Sequence, residues 1–240
     1  MFQLYGPMAS WGDVAVGEQR PSAGHPSKSA MLGLLAAAKG IRRDEESLHR
    51  DMATGYGFGV RVDAPGEILR DYHTSQVPPA KGKAKFFTRR DELRNTELNT
   101  ILSSRDYRTD GRYTVAIWVQ ESTAPFTLEV LSDALKMPRL VPYLGRKSCP
   151  LAIPLCPEVL EADNLKSAFT AVEFPENEML SNIKLSSDVS YYWEALDSDA
   201  AGMSASMVYP RRDQPLSRKR WQFSERNEYY FPESAQEAQG

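Results

Sequence analysis

The sequence predicts an α+β fold, and three observations carry that prediction. Short strand-like runs, "FQLY", "GFGVRV" and "YTVAIWV", alternate with two amphipathic stretches, "SKSAMLGLLAAAKG" and "FTLEVLSDALKM". In chain order they give strand, helix, strand pair, excursion, strand, helix, strand, which resembles a β-α-β-β-α-β ferredoxin-like unit. From about residue 157 the character changes to short β-like runs, "SYYWEAL", "SASMVYP" and "RKRWQFSERNEYYF". The chain therefore divides into residues 1–156, interrupted by the excursion at about 75–112, and a small β-rich C-terminal lobe over 157–240.

Each element has a local reason. "MFQLYG" reads as a short buried strand ending at Gly6-Pro7. A loop rich in Gly, Pro and Ser follows and leads into the first helix. Ser27 or Ser29 suits its N-cap, Ala30, Met31, Leu34, Leu35 and Ala38 form its apolar face, and Gly40 suits the position after its last turn. A second short helix is expected at "DEESLHRDMA". "GYGFGVRVDAPGEILRDYHT" reads as a strand hairpin turning at Ala64-Pro65-Gly66. The excursion opens with a double proline and has a weak apolar pattern. A strand at Tyr113–Val119, a helix over "FTLEVLSDALKM" and the loop "PYLGRKSCPL" complete the first part. The tail "PESAQEAQG" reads as frayed and polar.

Composition narrows the function classes. The 240 residues include 25% charged and 41% hydrophobic residues, an ordinary globular balance. The longest apolar runs fall far short of the ~18 residues of a membrane span. The opening residues lack the basic and apolar regions of a secretory leader, so no membrane is expected, and the low cysteine usage makes a reduced cytoplasmic setting the expectation. Two cysteines, Cys149 and Cys156, form neither a metal quartet nor a disulfide framework. No cofactor and no metal are expected. The net charge of −3 argues against a uniformly basic nucleic-acid binder, so the distribution of charge matters more than its sum.

Four segments concentrate chemistry. In the excursion, Lys81, Lys83, Lys85, Arg89, Arg90 and Arg94 stand against Asp91 and Glu92, with Phe86 and Phe87 among them. "SRDYR" adds Arg105, Tyr107 and Arg108. Cations interleaved with rings suit a single nucleic-acid strand, and they equally suit a solvated loop. "RPSAGHPSKSA" brings Arg20, His25, Ser27, Lys28 and Ser29 to a helix start, where free N–H groups favour an anion or an ordinary cap. "YLGRKSCP" offers Tyr143, Gly145, Arg146 and Lys147 either as an anion-holding loop or as a turn. "RDYHT" places Tyr72, His73 and Thr74 at the base of the excursion. His25 and His73, with Tyr72 and Lys28, are the acid–base candidates of an alternative in which the chain cuts RNA without a metal.

Taken together and in order, "LYGPMASWG", "RPSAGHPSKSAMLGLLAAAKGIRRD", "LRDYHT", "RYTVAIWV" and "PYLGRKSCPL" resemble the CasD family of type I-E CRISPR Cascade complexes. The resemblance covers about residues 1–156. It implies a ferredoxin-like (RRM-like) RAMP domain with a β-hairpin thumb and a small C-terminal β lobe. It further implies a non-catalytic subunit that binds and caps the 5′ handle of the CRISPR RNA. The large PAM-recognising subunit and the adjacent backbone subunit would be its protein partners, with target DNA engaged indirectly in antiviral defence. Carried onto this chain, the RNA-binding positions would be Trp11, Arg20, Ser27, Lys28, Ser29, Tyr72, His73, Thr74, Arg105, Tyr107, Arg108, Tyr143, Gly145, Arg146 and Lys147. The alternative is an endoribonuclease that processes CRISPR repeat RNA.

Overall fold

The structure is a computed structural model that describes residues 1–79, 86–94, 97–181, 183, 185–186 and 188–234. Lys81, Lys83 and Lys85 of the excursion, and the tail from residue 235, lie outside the described residues.

The chain opens with β1 (Phe2–Tyr5), β2 (Met8–Ala9) and β3 (Gln19–Arg20). Helix α1 (Lys28–Lys39) starts where the Ser27 side chain accepts the Ala30 N–H, and ends at Gly40 in the left-handed region (φ 79°). Helix α2 (Glu46–Gly55) leads into β4 (Tyr56–Ala64) and β5 (Glu67–Val77). A one-turn helix α3 (Arg89–Leu93) precedes β6 (Asn99–Thr109) and β7 (Arg112–Val119). Helix α4 (Leu128–Lys136) is capped by Thr127, and α5 (Leu165–Ala171) by an Asn164–Ser167 capping box. The chain closes with β8 (Val189–Trp193), α6 (Ser198–Ala201), β9 (Met207–Ser217) and β10 (Gln222–Glu233).

Two sheets result. The larger has the order β1-β7-β4-β8-β10-β9, with antiparallel neighbours throughout. Residues 152–155 run beside the free side of β1, where Gln3 N donates to Leu155 O (2.9 Å) and Ala152 N to Tyr5 O (3.0 Å). Alternation along the strands builds a core on each face. Phe58, Val60 and Val115 join Met31, Leu35, Leu131 and Leu135 of α1 and α4. Ala116, Tyr191 and Trp193 point the other way, onto Leu165 and Phe169 of α5 and Ala201 of α6. The C-terminal strands thus extend the sheet that the N-terminal strands begin. Among the described residues no helix is long and apolar enough to cross a membrane.

The smaller sheet corrects one expectation. β4 and β5 do not form a hairpin with each other; β4 pairs with β7 and β8, and β5 pairs with β6 along its whole length, Glu67↔Thr109 to Val77↔Asn99. The chain bends between sheets at Gly66 (φ 63°), where a Cβ would strike the Thr109 carbonyl. The excursion is therefore a two-stranded ribbon that departs at residue 67, not 75. Its weak apolar pattern has a physical cause: most of β5 and β6 is exposed, so no buried face imposes alternation. β2 and β3 pair with β6 at the base of the ribbon.

Candidate nucleic-acid interface

The N-terminus of α1 does hold an anion, but the anion belongs to the protein. Lys28 N donates to Asp213 Oδ2 (2.8 Å), so β9 supplies the carboxylate that the helix end favours. Lys28 Nζ pairs with Glu194 Oε1 at 2.6 Å. Arg226 binds Asp213 Oδ1 (2.6 Å) and Glu228 Oε1 (2.6 Å), and Arg211 binds Glu228 Oε2 (2.9 Å). Three cations, Lys28, Arg211 and Arg226, thus meet three carboxylates, Glu194, Asp213 and Glu228, in a buried network that ties α1 to β8, β9 and β10. His25 stacks on Tyr192 (centroids 3.7 Å apart) and its Nε2 lies 2.9 Å from Glu228 Oε2. Burial pushes the His25 pKa down; the bond to Glu228 opposes this and the Arg211 charge reinforces it. Burial would raise Glu228, yet His25, Arg211 and Arg226 hold it well below the usual carboxylate range.

Several residues expected at an RNA surface also have partners within the protein. Lys28 and His25 are enclosed, and Ser27 is the N-cap. Ser29 Oγ lies 3.1 Å from Ser27 Oγ at the same cap, and both serines also line the cleft described below. Trp11 is fully buried, edge-on to Tyr113 at 5.6 Å, because the loop after β2 folds down onto the core. Tyr107 is buried beneath the Arg146 guanidinium, 5.0 Å from the ring centroid. Gly145 (φ 82°) also has a protein neighbour: a Cβ there would collide with the Ser10 carbonyl, and Ser10 N donates to Leu144 O (3.0 Å). The glycine brings two loops together. Cys149 is buried, and its carbonyl accepts the Leu144 N–H (2.8 Å), closing the turn.

The ribbon separates the remaining candidates by face. Register puts Tyr72, Thr74 and Arg108 on one side of β5–β6, and His73, Arg105 and Tyr107 on the other. On the first side Arg70 and Asp106, directly opposite, form a two-bond ion pair (2.8 and 3.1 Å). Tyr72 stands free, 62% exposed. On the second, His73 Nε2 lies 3.1 Å from Asp71 Oδ2. Arg20 on β3 sits in register with Arg105 on β6, so two exposed guanidinium-bearing residues are adjacent.

What the structure gathers is a cleft of about 1350 Å³. Its walls come from the loop after β2 (Ser10–Ala15), from α1 and the residues after it, from the loop of Tyr143, Gly145 and Lys147, and from the β9–β10 hairpin. Arg42, Arg43, Lys147, Arg212 and Arg218 line it, and among the described residues none of these five forms an ion pair with a carboxylate. Two acids also line it: Asp213, which is neutralised by Arg226, and Asp13, whose Oδ1 accepts the Val14 N–H (2.7 Å). Trp221 and Phe223 add rings, edge-on to each other at 5.4 Å. Sequence reasoning missed Arg42, Arg43, Arg212, Arg218 and Trp221. The available signals were "IRRD" just past the first helix and "RKRW" in the C-terminal run.

A cationic cleft with aromatic walls suits an unpaired polyanion. The family model described as CRISPR-associated protein (Cas_Cas5) matches residues 1–228. The chain belongs to the CRISPR-associated Cas5 family. It is 33% identical over 174 residues to "CRISPR system Cascade subunit CasD" of Escherichia coli (strain K12), covering 72% of this chain and 76% of that one. It is also similar to a chain of a solved "CRISPR RNA-guided surveillance complex", with TM-score 0.66, 28% identity, and coverage of 96% and 88%. A second structure, "Crystal structure of Cas protein", aligns with TM-score 0.58 at 26% identity, covering 97% and 92%. The chain is thus a Cas5 protein of mixed α/β architecture, similar to a protein described as a Cascade subunit and to a chain of a surveillance complex.

Proposed function

We propose that this Cas5 protein is a non-catalytic subunit of a type I-E surveillance complex that holds the 5′ handle of the CRISPR RNA and acts in the cytoplasm. The observation that carries this reading is the cleft lined by five cations that form no ion pair with a carboxylate among the described residues, beside the exposed ring of Trp221. Phosphates of a single strand supply the missing counter-charges, and unpaired bases supply stacking partners. The order β1–α1–β4–β7–α4, followed by the segment beside β1, supports the ferredoxin-like reading, in which the β5–β6 ribbon would serve as the thumb. The ribbon's exposed Tyr72, Ile101 and Leu102 suit insertion against bases or a neighbouring subunit. The large PAM-recognising subunit and the adjacent backbone subunit are the partners we assign, and target DNA is engaged through the guide.

The non-catalytic reading draws support from the histidines. His25 is locked between Tyr192, Arg211 and Glu228, and His73 lies on the other sheet. The test is reconstitution of the complex on RNA with and without the nucleotides 5′ of the guide. Loss of this subunit from the shortened RNA is expected; full retention overturns the assignment. Incubation of the purified chain with repeat RNA is expected to leave it intact, and a specific cut abolished by His73→Ala would favour the endoribonuclease.

A further inference from the structure

The tip of the β9–β10 hairpin carries a feature that the cleft alone does not explain. Arg218 is only 8% exposed, yet it has no carboxylate partner among the described residues. Its guanidinium donates to the Ser29 carbonyl and lies against α1 at Gly33, where a Cβ would come within 3.1 Å of Nη2. A glycine inside a helix is unfavourable, and here it makes the notch that admits the guanidinium. Burial, and then the nearby Arg43 charge, push the Arg218 pKa down to about 10. Trp221 stands at this tip in the left-handed region (φ 56°), 58% exposed. It has the Arg43 guanidinium 5.2 Å from its ring centroid and the Arg218 guanidinium at 5.7 Å. Arg42 and Arg212 flank the cluster within the same cleft.

Two guanidinium groups held on one indole, one of them buried without a counter-ion, are a site waiting for an anion. Among the described residues neither forms an ion pair with an acid, and the two like charges disfavour each other. The indole fixes both in place, which lowers the ordering cost of binding a ligand. Guanidinium forks match phosphate oxygens in geometry. We infer that Arg43 and Arg218, carried on Trp221, form a dedicated site for one backbone phosphate of a single-stranded RNA, so that the C-terminal hairpin is part of the RNA-binding surface. This rests on the RNA reading above and extends it to the C-terminal third of the chain.

The test uses the full chain and a fluorescein-labelled mixed-sequence RNA decamer, with affinity measured by anisotropy across a range of KCl concentrations. Arg43 is exposed, so Arg43→Gln probes the site without disturbing the core; Trp221→Ala removes the support of both cations. Each variant is expected to bind about tenfold more weakly, the loss of one charge-assisted contact. Each should also flatten the slope of log K against log[KCl] by about 0.7, one phosphate contact on a single strand. Lys147→Ala is measured beside them. If Lys147→Ala weakens binding while both other variants match wild type in affinity and slope, the phosphate site is overturned and the RNA reading stands. If the wild-type chain binds no RNA, both fall. If Arg43→Gln spares RNA binding but weakens association with the protein subunits, the guanidinium groups face a partner's carboxylate and the phosphate assignment is overturned.

Discussion

Two regions of this molecule gather cations within one fold, and they differ in what neutralises them. Beneath the start of α1, Lys28, Arg211 and Arg226 meet Glu194, Asp213 and Glu228, and the sum of charge is zero. Across the cleft, the side chains of Arg42, Arg43, Lys147, Arg212 and Arg218 form no ion pair among the described residues. In sequence the first region looked like the anion site, with His25, Ser27, Lys28 and Ser29 packed into five positions. The comparison teaches that a cluster of donors indicates a ligand only when the fold withholds the counter-charge. Desolvated charges must be paired, and here β8, β9 and β10 bring the partners from more than 160 residues away.

The largest effect should come from breaking the buried region. Lys28→Met leaves Glu194 buried with its nearest cation removed, and is expected to cost about 3–5 kcal/mol in urea unfolding. Lys28→Met with Glu194→Leu should recover most of that loss, since Arg226 keeps Asp213 and Glu228. A stable Lys28→Met protein with impaired RNA binding would merge the two regions and defeat the comparison. Next comes the Gly145 turn that packs on the Ser10 loop. Gly145→Ala places a Cβ in the left-handed region and against the Ser10 carbonyl, and is expected to cost at least about 1–2 kcal/mol of thermal stability.

Smaller effects sharpen the exposed region. Lys147→Ala and Arg105→Ala should leave stability within about 0.5 kcal/mol of wild type. Each should flatten the salt dependence of RNA binding by about 0.7 in slope, and an unchanged slope would remove that residue from the interface. The smallest effect is on pH. His25 and His49 both have pKa values pushed below the ordinary 6.5, by burial first. The unfolded chain therefore binds more protons near that pH, and stability falls as pH drops through 6.5 toward the folded values. Urea midpoints at about pH 7.5 and pH 5.5 should differ in that direction, and His25→Gln should narrow the gap.

Much of the fold was legible because it is written in local terms. The α1 boundaries follow from Ser27 and Gly40, and the buried runs of β1, β4 and β7 from apolar side chains. The β4–β5 relation was not legible: Pro65-Gly66 is the composition of a hairpin turn, and only partner choice across the ribbon decides that it is a bend between sheets. The site was half legible. Arg20, Arg105 and Lys147 are exposed as expected, whereas Trp11 and Tyr107, expected to contact RNA, pack inside the protein. A sequence does not state whether an aromatic ring faces in or out when it sits in an irregular loop. The C-terminal run "RKRW" carried its charge in plain sight, but without the β9–β10 register nothing connected it to α1.

The central claim is that RNA contacts the uncompensated cations and not the balanced network. Photo-crosslinking of the reconstituted complex, on RNA carrying thio-substituted bases 5′ of the guide, tests it directly once crosslinked peptides are mapped. The account predicts crosslinks within 140–147 and 218–223, with none at 25–28. Crosslinks confined to His25–Lys28, or absent from this subunit altogether, would contradict it.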